Sequence, residues 1–231
     1  MRTDQDMLRD VLAELAWEKL LADCRLSVRV HRGVATLTGT VERYGQKLLA
    51  EHAVRRVAGI SAIADEVEVT GPPDLEQDDS KLAEMAVAAL RLNPPIPEHR
   101  IMVTVEHGTI RLEGSVEHAS QRNAADNCVH CIPGVKRLVN EIEVHAPDSG
   151  LSAEEVRRLV LLAFRRCEEI DEGHVQVEVE GHRVILSGCV ETLAQATSAE
   201  WVAWQSPGVT AVDNRLRVCQ EEELTTAAPA P

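Results

Sequence analysis

Aromatic residues are almost missing from this chain, with one Phe, one Tyr and three Trp in 231 residues. Single-stranded nucleic-acid binders stack bases on aromatic platforms, and five rings leave little for that role. Positive charge is also short. Lys plus Arg number 24 against 38 Asp plus Glu, a formal net charge of −14. That surplus has the wrong sign for neutralising DNA or RNA phosphates, or for holding an anionic bilayer surface. No apolar run approaches the ~18 residues of a membrane-spanning helix, and the best of them, Leu159 to Phe164, has arginine on both sides. The opening MRTDQDMLRD lacks the apolar stretch and cleavage site of an export signal, so a cytoplasmic location is expected. Six irregularly spaced cysteines read as reduced thiols and not as a disulfide framework. Gly-rich phosphate loops, Gly-x-Ser-x-Gly and His-Glu-x-x-His are all absent, which points away from enzymes and from a bound cofactor.

What is present is an aliphatic chain, 44% hydrophobic, that repeats itself. Three segments align: VRVHRGVATLTGTVERYGQKLLAEHAVRRVAGISAIADEVEV, VTVEHGTIRLEGSVEHASQRNAADNCVHCIPGVKRLVNEIEV and VEVEGHRVILSGCVETLAQATSAEWVAWQSPGVTAVDNRLRV. Gly39, Gly114 and Gly188 anchor them, and each is followed 20 positions on by Gly59, Gly134 or Gly208. Val41, Val116 and Val190, each followed by Glu, and Ala50, Ala125 and Ala199 keep the same register. Such self-similarity decides the fold class before any local assignment.

Each copy opens with an amphipathic helix, marked by Leu8, Val11, Leu12 and Leu15 in the first, Leu82, Met85, Ala86 and Leu90 in the second, and Val156, Leu159, Val160 and Phe164 in the third. Two short alternating strands follow, joined by a hairpin turn whose glycine shifts by one residue in the third copy, implying a different turn type there. A second helix begins near Glu42, Glu117 or Thr192 and stops before Gly59, Gly134 or Gly208, and a last alternating strand closes the unit. The predicted architecture is α+β: three tandem αββαβ modules, each a three-stranded mixed sheet with two helices on one face. Modules are expected at residues 1–70, 78–146 and 150–219, with an acidic, then Ala/Pro-rich, disordered tail at 220–231.

This pattern resembles the BON domain family, named for bacterial osmotically inducible and nodulation proteins. The resemblance rests on the Val-x-Val of the first strand, the turn glycine, and the Leu-x-Gly-x-Val of the second (Leu37 to Val41, Leu112 to Val116, Leu186 to Val190). The small residue of the following helix and the Gly-Val that precedes the last strand complete it. It implies a non-catalytic, bacterial binding module linked to osmotic stress, often at the envelope, with phospholipid contact, cation binding or attachment to other proteins as its roles.

Among residues with chemistry to offer, Cys128-Val-His-Cys131 has the spacing of half a zinc or redox site, but no second pair exists to complete it. In the repeat register one thiol is core filler and the other surface. His31, His107 and His182 lie beside hairpin turns at unequal offsets and read as turn-surface residues, so no metal site is expected. Glu42, Glu117 and Glu191 recur at strand-to-helix junctions, where a carboxylate complements a helix N-terminus. Trp201 and Trp204, three apart on the second helix of the third copy, replace polar residues of the other copies. They predict either a repeat-to-repeat contact or a docking face for a protein partner. On the third copy's last strand Arg215 and Arg217 replace Glu66 and Glu68, or Glu141 and Glu143. These four residues, Trp201, Trp204, Arg215 and Arg217, form the candidate interaction surface. The expected function is a non-enzymatic, stress-associated adaptor that binds protein. The alternatives are sensing of a cation or small ligand at acidic loops or repeat junctions, and the peripheral phospholipid contact implied by the family, which the net charge disfavours.

Overall fold

The computed structural model describes residues 2–71, 78–145, 150–167, 170 and 173–219. The expected tail at 220–231 and most of both expected module boundaries lie outside the described residues. The three modules have one architecture. The first runs α1 (Asp4–Trp17), β1 (Arg25–His31), β2 (Val34–Val41), α2 (Tyr44–Arg55) and β3 (Ala62–Val69). The second runs α3 (Asp79–Arg91), β4 (Ile101–Glu106), β5 (Thr109–Val116), α4 (Ala119–Val129) and β6 (Arg137–Val144), and the third α5 (Ala153–Phe164), β7 (Val175–Glu180), β8 (Arg183–Val190), α6 (Leu193–Trp204) and β9 (Ala211–Val218). In each sheet the middle strand pairs antiparallel with the first and parallel with the third. The α+β class with three mixed three-stranded sheets is therefore what the repeat predicts.

Short-range chemistry explains the elements. Arg32 and Gly33 both have positive φ, as do His107 and Gly108, whereas in the third hairpin Gly181 does and His182 does not. Two positive values suit a type I′ turn and glycine at the first central position suits type II′, so the shifted glycine does mark a different turn. Asp4 and Asp79, at the starts of α1 and α3, grip the first two turns by accepting the N–H groups of Arg32 and Gly33 (2.9 and 3.3 Å) and of His107 and Gly108 (2.7 and 3.0 Å). The anchoring Gly114 has φ +136°, and a Cβ there would overlap the carbonyl of Arg100, just before the neighbouring strand. Glycine is required at that approach because no side chain fits.

The second helices start at Tyr44, Ala119 and Leu193, slightly later than expected, and the Thr192/Gln195 capping box that the sequence offers in the third copy is present and has a glutamine counterpart in the other two. Gln46, Gln121 and Gln195 each turn a side-chain oxygen back to two backbone N–H groups: Glu42 and Arg43 (3.1 and 3.0 Å), Glu117 and His118 (both 3.0 Å), and Glu191 and Thr192 (2.8 and 3.3 Å). The expectation that the recurrent glutamate carboxylates do this is corrected, since Glu42, Glu117 and Glu191 enter through their backbone N–H. The glutamine carries the interaction because it lies one helical turn inside, where its amide can reach back.

Each module buries its own aliphatic core between helices and sheet. Val11, Leu37, Val54 and Ile60 lie at the centre of the first, Leu90, Ile110, Leu112 and Val129 of the second, and Val160, Phe164, Val184 and Leu186 of the third. One expectation about the thiols is also corrected. Cys189 on β8 and Cys219 just beyond β9 form a disulfide, with Cα atoms 5.6 Å apart, while Cys24, Cys128, Cys131 and Cys167 are free thiols. A separation of 30 residues hides the pairing, and the parallel β8–β9 register, which sets Cys189 beside Arg217 and Val190 beside Val218, creates it.

Candidate interaction surface

The second helices are where modules meet. Tyr44 at the start of α2 packs against the second module's core. Burial pushes its phenol above the ordinary range, helped by the nearby Asp126 carboxylate and opposed by a hydrogen bond with the backbone of Leu138. Leu193, at the matching position of α6, packs against the first module's core. The first and third modules also touch through Gly59 N–H to the Glu191 carbonyl (3.3 Å) and through the Arg55 guanidinium to Thr197 Oγ1 (3.0 Å). Contacts thus run from module one to two, two to three, and three back to one.

Trp204 closes the second-to-third boundary. It is partly buried and touches both the second and third cores. The Arg122 guanidinium of α4 lies 4.5 Å from its ring centroid, within the range of an attractive cation–π contact. Burial pulls the Arg122 pKa down, and Glu200 of α6, followed by Asp126, acts against that shift. Trp201, one turn earlier, is 54% exposed. The two indoles predicted as a pair are therefore separated, one built into a module boundary and the other facing solvent.

Arg215 and Arg217 are exposed on the wet face of the third sheet. Arg215 donates to Asp213 two residues away (2.8 Å), which also takes Arg183 of β8 (2.7 Å). The hydrogen bond from Arg215 holds the Asp213 carboxyl below its usual range, with the positive charge of Arg183 adding to it. These arginines lie on a different face from the helix contacts that join the modules. Where α2 meets α6, an open groove of about 440 Å³ is lined by His52, Arg55, Arg56, Thr192, Thr197 and Ser198 among others. Its guanidinium groups are already held, Arg55 by Glu51 (2.5 Å) and Arg56 by Glu14 and Glu18 (2.8 and 2.9 Å).

Cys128 is half-buried against the second core and accepts from Asn93 Nδ2 (3.2 Å), whereas Cys131 is exposed. His31, His107 and His182 each stay at their own hairpin, and His182 Nδ1 meets the Gly208 carbonyl at 2.9 Å. Among the described residues no three His, Cys, Asp or Glu side chains gather as a metal site. Sequence reasoning missed Tyr44, Arg122 and Leu193. Tyr44 and Leu193 occupy one repeat position, and large apolar side chains at a helix start outside a module's own core pattern were the available signal.

The BON domain family model matches this chain three times, at residues 3–71, 78–146 and 153–220. Osmotically-inducible protein Y of Escherichia coli (strain K12) is 24% identical over 144 residues, 61% of this chain and 72% of that protein. Among solved structures, the C-terminal domain of CdsD, a structural protein of the type III secretion system of Chlamydia trachomatis, aligns at 15% identity and a TM-score of 0.26 over 95% of this chain and 100% of that one. Another CdsD structure aligns with the same identity and score over 98% and 99%.

Proposed function

Because the chain belongs to the BON domain family, we propose that it acts by binding and not by catalysis, as an adaptor for a protein partner that docks on the exposed side of α6 around Trp201. The exposure of Trp201 carries this reading. A half-exposed indole beside a second one already built into the module boundary offers the large, rigid contact area that interface hot spots use. The test is cross-linked capture from the native cell with the intact chain as bait, comparing wild type with Trp201→Ala. Loss of the captured partner at an unchanged melting temperature supports the reading, and an unchanged set of partners rejects it.

The likeness to Osmotically-inducible protein Y supports a role in osmotic stress, for which the expected observation is a rise in the chain's abundance after a salt upshift. A second observation bears on compartment. The Cys189–Cys219 bond favours an oxidising compartment over the cytoplasm expected from the sequence, because reducing compartments keep thiols apart. Thiol alkylation in intact cells tests this, with four reactive cysteines expected in an oxidising compartment and six in the cytoplasm.

A further inference from the structure

Two strands of each sheet are edges, because the middle strand alone is paired on both sides. A free edge turns a row of backbone N–H and C=O groups outward and templates another strand, so folded proteins defend their edges with side chains or charge. The third strands here are defended in one way. Asp65, Asn140 and Asn214 occupy the same repeat position, and their side-chain oxygens take the N–H groups of Val67, Ile142 and Leu216 (3.0, 3.2 and 3.2 Å). Lys47 Nζ also covers the Val67 carbonyl at 2.7 Å.

Among the first strands, β7 is guarded by Arg157 of α5, whose Nε donates to the Val177 carbonyl (3.0 Å) across a groove of about 550 Å³. Strand β1 carries Arg25, Arg29 and His31 as exposed residues. Strand β4 has no such guard, and its one exposed charge is Glu106 at its end. The residues matching Arg157 and Val177, 74 positions earlier, are Ala83 and Val103, and no side chain among the described residues reaches the Val103 backbone. The two-residue turn between Glu106 and Thr109 sets Met102, Thr104 and Glu106 to hydrogen-bond with β5, which leaves the N–H and C=O of Val103 pointing outward. Met102 is 60% exposed.

We propose that the β4 edge is a self-association site, on which β4 of a second copy pairs antiparallel about a two-fold axis through Val103. The edge is self-complementary, as a two-fold contact requires. With Val103 opposite Val103, Met102 faces Thr104, and Arg100, in the 3-10 turn just before β4, comes beside Glu106, the last residue of the partner's strand, each combination occurring twice. Arg100 is exposed, and among the described residues its side chain pairs only with Glu117 of its own copy (3.1 Å), an exposed pair that can exchange. The same operation on β1 about Val28 sets Arg29 against Ser27 and Arg25 against His31, with no opposite charges. Pairing joins two three-stranded sheets into one of six strands and brings Val87 of α3, an exposed apolar residue, towards its counterpart.

Sedimentation velocity of the intact chain, over a series from micromolar to millimolar, tests the site. A reversible dimer is expected. Ala83→Arg, which installs in the second module the guard of the third, should leave only monomer. Arg100→Glu and Glu106→Arg should each weaken the dimer about tenfold by opposing like charges across the strands, and the two together should restore it. Arg100 and Glu106 are exposed, so their exchange does not threaten folding. A chain that stays monomeric at millimolar concentration overturns the proposal. So does a dimer indifferent to Ala83→Arg, or a double reversal that fails to restore pairing.

Discussion

Gln121 shows how much one side chain can hold at this scale. Its amide oxygen serves the N–H groups of Glu117 and His118, and its nitrogen donates to the Pro95 carbonyl (2.9 Å), tying the loop after the opening helix to the start of the second helix. Removing such a cap leaves polar groups unpaired, and Gln121→Ala should cost about 1–2 kcal/mol of stability, read by denaturant unfolding. Asp4 makes a comparable tie to the first hairpin. Two backbone hydrogen bonds, led by that from Arg32, and the nearby His31 and Arg32 charges hold its carboxyl below its ordinary value of 3.8. A depressed carboxyl stabilises the fold above its unfolded pKa and loses that contribution as pH falls through the folded value. The contribution of Asp4 should therefore be lost as pH falls below its ordinary value of 3.8, and Asp4→Asn should remove that part of the pH dependence of unfolding.

Among the elements, β9 and α6 carry what distinguishes the third module. Closing a loop across 30 residues restricts the unfolded chain by ~3–4 kcal/mol in the loop-entropy account. Reduction of Cys189–Cys219 should lower the unfolding midpoint of the third module and leave the others near their oxidised values, measured by hydrogen exchange. Trp204→Ala should cost ~2–3 kcal/mol, since the partly buried indole packs on two cores, whereas Trp201→Ala should stay within ~0.5 kcal/mol. The repeat made the elements readable: glycines, alternating valines and helical leucines recur in register, and three copies carry the same local rules. Strand register, which makes Cys189 and Cys219 neighbours, and the docking of α2, α4 and α6 are long-range and leave no periodic trace. For that reason the sequence offers Trp201 and Trp204 as one face and cannot say which indole is taken by the neighbouring module. The glutamine cap was legible in the third copy, where Thr192 and Gln195 form a recognisable capping box, whereas in the first two copies Arg43 and His118 stand in place of the Thr and the adjacent glutamates were the more conspicuous repeat.

For the whole molecule, the contacts run in a cycle through three covalently ordered modules. Leu193→Asp would place a carboxylate against the first module's core, where an unpaired charge is costly. It should open the first-to-third contact and raise the radius of gyration seen by small-angle scattering, while each module keeps its own fold. Two connecting segments serve three interfaces, so the first-to-third interface has no peptide link of its own. It forms at the effective concentration that the chain imposes, on the order of 1 mM for short tethers. At that concentration even a separated-module dissociation constant of ~0.1 mM would leave it closed about nine-tenths of the time. The cycle therefore makes the starting module interchangeable, provided the cyclic order is kept, and a circular permutant beginning with the second module should assemble the same three boundaries.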